Sequence, residues 1–133
     1  MDETTRGNIA SYLNLSRDEL DTARLLIEQG KLRVATSRAY YAAFYAVTAL
    51  LLSQDIIRVK HSAVEAAFNQ FFVKPGHFPP EFSKTYANLR TARESGDYEL
   101  AFAVDKQATQ EYLNDARMLV EHIETYLKNA GIL

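Results

Sequence analysis

Three groups of polar residues in this chain could do chemistry. The first is Arg38 with Tyr41 and Tyr45, three and four residues apart, running into a stretch, 39–52, that is apolar or aromatic except for Thr48. A guanidinium in so apolar a helix must be met by a carboxylate or carbonyls as a structural ion pair, or else open onto a cleft. The second group is Arg58, Lys60 and His61, just ahead of Ser62-Ala63-Val64-Glu65. Cations beside the free N–H groups of a helix start suit a phosphate, although a solvated connector has the same composition. The third is Arg93-Glu94-Ser95-Gly96-Asp97-Tyr98. Arg93 can hold an anion through charge-assisted hydrogen bonds, but a charged helix end followed by an N-cap would look the same. The eight Tyr and seven Phe residues fall at helical spacing and mostly serve a core; only exposed Tyr would stack a base.

The elements that must position these groups are helical throughout. Glycine and proline are few and clustered, and no segment alternates apolar and polar residues over strand length. The first helix is predicted from about Arg6 to Gln29. Its stripe is Ile9, Tyr12, Leu13, Leu20, Ala23, Leu26 and Ile27, and Gly30 is its natural stop. Ser16-Arg17-Asp18-Glu19 reads as a capping box, but the stripe passes Ser16 without a phase shift, which favours one continuous helix.

The second helix, about Leu32 to Gln54, is too short in its apolar part to cross a bilayer and is predicted to be central. It carries a stripe of small residues (Ala35, Ala39, Ala42, Ala46, Ala49), a bulky face (Tyr40, Phe44, Val47, Leu51) and a face with polar handles (Val34, Arg38, Tyr41, Tyr45, Thr48, Leu52). The alanines allow another helix to come close, whether within the chain or across a dimer. A second capping box at Ser62 opens a helix to about Val73, with Ala63, Ala67, Phe68, Phe71 and Phe72 as its apolar side. A fourth helix is predicted over about Glu81 to Glu94. Gly96-Asp97 then makes a turn, and a last helix capped by Asp97 runs to about Asn129 with Phe102, Ala108, Tyr112, Ala116, Val120, Ile123 and Leu127 as its stripe.

Composition bounds the function from outside. At 133 residues the prior is a single domain, 1–133. Fifteen basic against 17 acidic side chains give a net charge of −2, which argues against a protein that coats nucleic acid. Cysteine is absent, so thiol nucleophiles, disulfides and thiolate metal sites are excluded. His61, His77 and His122 are far apart, no glycine pair has phosphate-loop spacing, and neither a metal nor a cofactor is expected. The first residues carry no apolar run behind a basic flank, so the expected compartment is the cytoplasm.

Three blocks in order make the sequence familiar: Ser37-Arg38-Ala39-Tyr40-Tyr41-Ala42-Ala43-Phe44-Tyr45-Ala46, then Lys60-His61-Ser62 opening an amphipathic helix, then Arg93-Glu94 with Asp97-Tyr98. From about Ile9 to Tyr126 the chain resembles the HEPN superfamily, and more narrowly its small stand-alone prokaryotic members. The resemblance implies an all-α bundle of four to five up-and-down helices, commonly a homodimer. It also implies frequent pairing with a minimal nucleotidyltransferase as toxin and antitoxin. Many members are metal-independent ribonucleases with an arginine followed, after four to six residues, by a histidine. The matching arginine is Arg93, but after four intervening residues stands Tyr98, and no histidine falls within the window. A tyrosine near its ordinary pKa of about 10 is a poor base at neutral pH.

A catalytic assignment therefore does not carry over. The expectation is a dimeric protein that binds a nucleotide, an RNA or a nucleotidyltransferase partner. Arg93, Asp97 and Tyr98 lead the candidate site, and Arg38, Tyr41 and His61 support it. By the resemblance, Tyr98 would be the tyrosine such a partner adenylylates. The alternatives are an endoribonuclease toxin, with Arg93 on the scissile phosphate and His61 as base, and a helical interaction module without a ligand. A two-fold dimer is expected also because the helices offer more apolar faces than one small bundle covers.

Overall fold

The computed structural model describes residues 1–98 and 105–133, Tyr98 by its backbone only. Among the described residues every regular element is helical: α1 Glu3–Glu28, α2 Leu32–Leu52, α3 His61–Phe68 with a π-helical continuation Asn69–Val73, α4 Pro80–Tyr98 and α5 Lys106–Asn129. None of these helices is long and apolar enough to cross a membrane.

α1 is one unbroken helix. The Asp2 carboxylate accepts the Thr5 N–H at 2.7 Å and caps its start. At its end Gly30 takes φ +74°, so that the Gly30 and Lys31 N–H groups turn back to the carbonyls of Ile27 and Leu26 at 3.0 and 2.9 Å. Ser16 opens no second helix. It is fully buried, and its hydroxyl donates to the Ala42 carbonyl of α2 at 2.6 Å.

The Ser16–Ala42 bond marks the seam between α1 and α2, the most extensive helix pair in the fold. All five alanines of the α2 stripe are at most 1% exposed, so the stripe is closed within the chain rather than across a dimer. α2 touches α1, α3, α4 and α5 and is the axis of the core. Tyr40, Val47 and Leu51 of its bulky face are buried. Val34 is 49% exposed, whereas Tyr41, Phe44, Tyr45, Thr48 and Leu52 are half-buried.

The later elements depart from the sequence expectations at two places. α3 starts at His61, behind Lys60, with no side-chain cap; Ser62 is inside the helix and exposed. Glu65, the expected reciprocal of a capping box, instead accepts from Arg90 of α4 at 2.6 Å. The helix then widens, the Lys74 N–H reaching the Asn69 carbonyl at 2.8 Å across five residues. That slip in period buries Phe72 and leaves Phe71 37% exposed, while Val64 rather than Ala63 joins the core.

The second departure concerns Gly96-Asp97, which is not a turn. α4 continues through both residues to Tyr98. Asp97 pairs back with Arg93 one turn earlier, Oδ2 to a guanidinium N–H at 3.0 Å, and buried Gly96 offers no side chain to obstruct packing. The cap of α5 is Asp105, whose carboxylate accepts the Ala108 N–H at 2.7 Å. Phe102, expected in the stripe of the last helix, lies outside the described residues.

Candidate functional site

The alternation of Tyr40 and Tyr41 on α2 builds the floor of the site. One residue apart is 100° of helix turn, so Tyr40 points into the core and Tyr41 stands at its edge, their rings edge-to-face at 5.2 Å. Tyr40 is fully buried, and a buried phenol needs a hydrogen-bonding partner. It has one in the first residue of α3. The Tyr40 hydroxyl and His61 Nδ1 are 2.8 Å apart. The imidazole is further clamped by rings, stacked on Phe44 at 4.3 Å and 25° and set edge-on to Tyr41 at 5.7 Å.

Two arginines from different elements converge on the same tyrosines. From α4, the Arg93 guanidinium lies 4.7 Å over the Tyr40 ring and 5.8 Å from that of Tyr41. On α2 itself, Arg38 lies 4.7 Å over Tyr41 while it donates to Glu19 of α1 at 2.7 Å. Tyr41 is therefore flanked by two guanidinium groups, an arrangement aromatic quadrupoles favour. Each arginine has one carboxylate partner, yet the Nε of each is buried without a hydrogen-bond partner among the described residues. Orphaned donors of that kind call for an explanation in a folded protein.

The electrostatics follow from burial and these neighbours. Burial, and then the charge of Arg93, hold the His61 imidazole below its ordinary pKa, so it is neutral at pH 7. Burial raises the Tyr40 phenol, which stays protonated. Burial also raises the Glu19 carboxyl, outweighing the opposing effect of Arg38. Beside His61 an open cleft of about 570 Å³ is lined by Ser62, Glu65, Asn69, Arg90 and Glu94. Arg90 bridges its walls, bonded to Glu65 and 3.7 Å from Glu94. Chemically the cluster offers cations, a neutral imidazole and a half-exposed aromatic face.

Of the residues singled out in the sequence, Arg93, Asp97, Arg38, Tyr41 and His61 come together here. The Tyr98 backbone closes α4 next to Asp97, and its side chain lies outside the described residues. The group of Arg58, Lys60 and His61 is divided. Arg58 lines a different groove, between α1 and the end of α2, while Lys60 is exposed. Tyr45 stacks on Tyr12 of α1 rather than on the cluster's cations. Tyr40, Phe44 and Glu19 were not singled out in the sequence. Tyr40 carries the one hydroxyl on an otherwise apolar face of α2, a signal that it needs a partner, and Glu19 could have been flagged by the need of Arg38 for a carboxylate.

The family model described as "HEPN domain" matches residues 9–126, nearly the whole chain. This chain is a member of the HEPN family. A UPF0332 protein of Thermotoga maritima is 36% identical over 86% of both chains. A Methanocaldococcus jannaschii protein named "Putative toxin MJ0605" is 27% identical over 96% of this chain and 95% of its own. In fold the HEPN chain is similar to the crystal structure of TT1696 from Thermus thermophilus, with a TM-score of 0.75 over 90% of this chain and 98% of that one; at 19% identity the likeness concerns the fold alone. Among the described residues of this HEPN protein no group of His, Asp and Glu could hold a metal ion.

Proposed function

We propose that this HEPN protein is a toxin-type, dimeric RNA-binding protein that takes a phosphate at the Arg93–His61 cluster. The observation that carries this reading is the convergence of Arg93, His61 and Arg38, from three helices, on the adjacent rings of Tyr40 and Tyr41. Charged donors position a phosphate, and a half-exposed tyrosine beside them can stack a base. The relatives named as toxins favour a role of this class. Tyr98, which follows Asp97 at the end of α4, is the proposed target of a nucleotidyltransferase partner.

The test is binding of a short fluorescent RNA and of free nucleotides, in EDTA, to the wild type and to Arg93→Ala. Weakening of both ligands by tenfold or more supports the reading, and unchanged affinity removes it.

A second reading, metal-independent RNA cleavage, is favoured by one specific feature: a neutral imidazole held close enough to Arg93 to feel its charge. Cleavage of the same RNA in EDTA, lost in His61→Ala, would support it. Intact RNA after prolonged incubation with the wild type would rule it out.

A further inference from the structure

We infer that the Tyr40 phenol selects the tautomer of His61, donating its proton to Nδ1 so that the imidazole carries its own on Nε2. His61 then faces the cleft as a hydrogen-bond donor rather than as a base. Tyr40 is a positioning residue: it acts on a ligand only through His61. The inference rests on the phosphate-binding reading for its biological meaning, but the tautomer is a property of the free protein.

Three features carry it. The first is the pairing itself, at 2.8 Å between the phenol oxygen and Nδ1, with Tyr40 fully buried. Two arrangements are compatible with that distance. Either the phenol donates to Nδ1, or an Nδ1–H donates to the phenol oxygen and leaves Nε2 with a lone pair. The partners' acid strengths decide between them. A phenol with an ordinary pKa of about 10 is a far better donor than a neutral imidazole N–H. An imidazole nitrogen whose conjugate acid has a pKa of about 6.5 is a far better acceptor than a phenol oxygen. The strong donor and the strong acceptor meet only when Tyr40 donates.

The second feature is Arg93. Its guanidinium, 4.7 Å over the Tyr40 ring, draws electron density from the phenol and makes the O–H a stronger donor. It also opposes a second positive charge on His61, since a proton gained there would sit near another cation. The third is the ring clamp. With the imidazole stacked on Phe44 and edge-on to Tyr41, a ring flip, which would set Cδ2 in place of Nδ1 against the phenol, has to swing the ring out of both contacts on the way. Nδ1 is taken by Tyr40 and His61 lines the cleft, so Nε2 is the ring nitrogen left for a ligand.

The chemical consequence is specific. An Nε2–H gives the site a hydrogen-bond donor where the other tautomer would give an acceptor, which suits an anionic oxygen. Proton abstraction from a ribose hydroxyl by Nε2 would need the other tautomer, against the preference of Tyr40. The phenol thus discriminates between the two readings of the site.

The experiment is multiple-bond ¹H–¹⁵N correlation of the histidine rings in the labelled full-length protein at neutral pH. His61 is assigned by the signals lost in His61→Gln. The expected wild-type result is a single Nε2–H pattern, with a slowly exchanging Tyr40 hydroxyl proton coupled to Nδ1 across the hydrogen bond. In Tyr40→Phe, His61 should relax to a mixture of tautomers, and affinity for the RNA should fall several-fold. A wild-type His61 with its proton on Nδ1 overturns the inference. So does a pure Nε2–H pattern that persists in Tyr40→Phe. Should Tyr40→Phe fail to fold, the coupled hydroxyl proton of the wild type decides alone. The spectra of the free protein stand whether or not RNA binds, so a wrong tautomer and a wrong ligand give different results.

Discussion

Replacing Arg93 by alanine should damage both the fold and the site, and the two losses can be separated. The Arg93 side chain is only 14% exposed, and its guanidinium covers the ring of a buried tyrosine. A cation–π contact partly withdrawn from water contributes roughly 1–2 kcal/mol. The pair with Asp97 adds little, about 0.3–0.5 kcal/mol, because the aspartate is 38% exposed and the spacing is i, i+4. The expected loss of stability is therefore about 1.3–2.5 kcal/mol, or roughly 4–12 °C in melting temperature for a domain of this size. If the guanidinium also holds a phosphate, loss of that charged hydrogen bond should weaken RNA binding by about 1.5–3 kcal/mol, roughly 10- to 150-fold. Calorimetry and fluorescence anisotropy on the same preparation, well below the melting transition, read the two effects. Arg93→Lys separates them further, since it keeps the charge but loses the planar group that lies on the rings. A variant that melts early yet binds RNA as tightly as the wild type would show that Arg93 only stabilises the helix packing, and the site assignment would fail.

Three further outcomes are expected. His61 is held below its ordinary pKa, so the unfolded chain binds the proton more tightly; the stability contributed by this group is complete above about pH 6.5 and is lost as pH falls through the depressed folded value. From about pH 7.5 to 5 the melting temperature should therefore fall more steeply in the wild type than in His61→Gln, and parallel profiles would contradict the depressed imidazole. Ser16→Ala should cost about 0.5–1.5 kcal/mol by removing one buried hydrogen bond. Ala42→Leu should cost more, roughly 1–3 kcal/mol, by forcing α1 off the seam, as chemical denaturation would show. Sedimentation at micromolar concentration should give the mass of a two-fold dimer, and a monomer there would refute the proposed assembly.

What the sequence made legible was mostly periodicity. The stripe of α1, the alanine spacing of α2 and the α5 positions Ala116, Val120, Ile123 and Leu127 occur as read, because an amphipathic repeat of 3.6 leaves little choice of buried face; Leu113 and Leu119 join them, while Ala108 and Tyr112 are half-buried. The failures have local causes. Ser62 matched a capping box, but Glu65 found a stronger partner in Arg90, a tertiary contact no local pattern contains. Gly96-Asp97 looked like a helix end, yet the i, i+4 pair with Arg93 carries α4 on through it. The widened turn at Asn69 has no sequence marker and rotated Phe71 outwards. Arg93, Asp97, Arg38, Tyr41 and His61, singled out by type, lie together in the fold, while the floor that joins them was not legible. Tyr40 was grouped with the bulky apolar face because its ring is indeed core; only its hydroxyl, paired across 21 residues, belongs to the site.

The closure of α2 on nearly every side also sets a timescale. Amides in a helix wrapped by four others exchange with solvent only when the whole domain opens, so those around Tyr40 should be among the slowest in the molecule. His61, at the first position of a short helix, and Arg93, near the end of α4, sit where backbone opens by local fraying. The site thus joins two helix ends to the most enclosed helix of the fold. A ligand bound there should slow deuterium uptake at the start of α3 and the end of α4 while leaving α2 unchanged. Recognition would then be recorded in the protection of the two flanking helices.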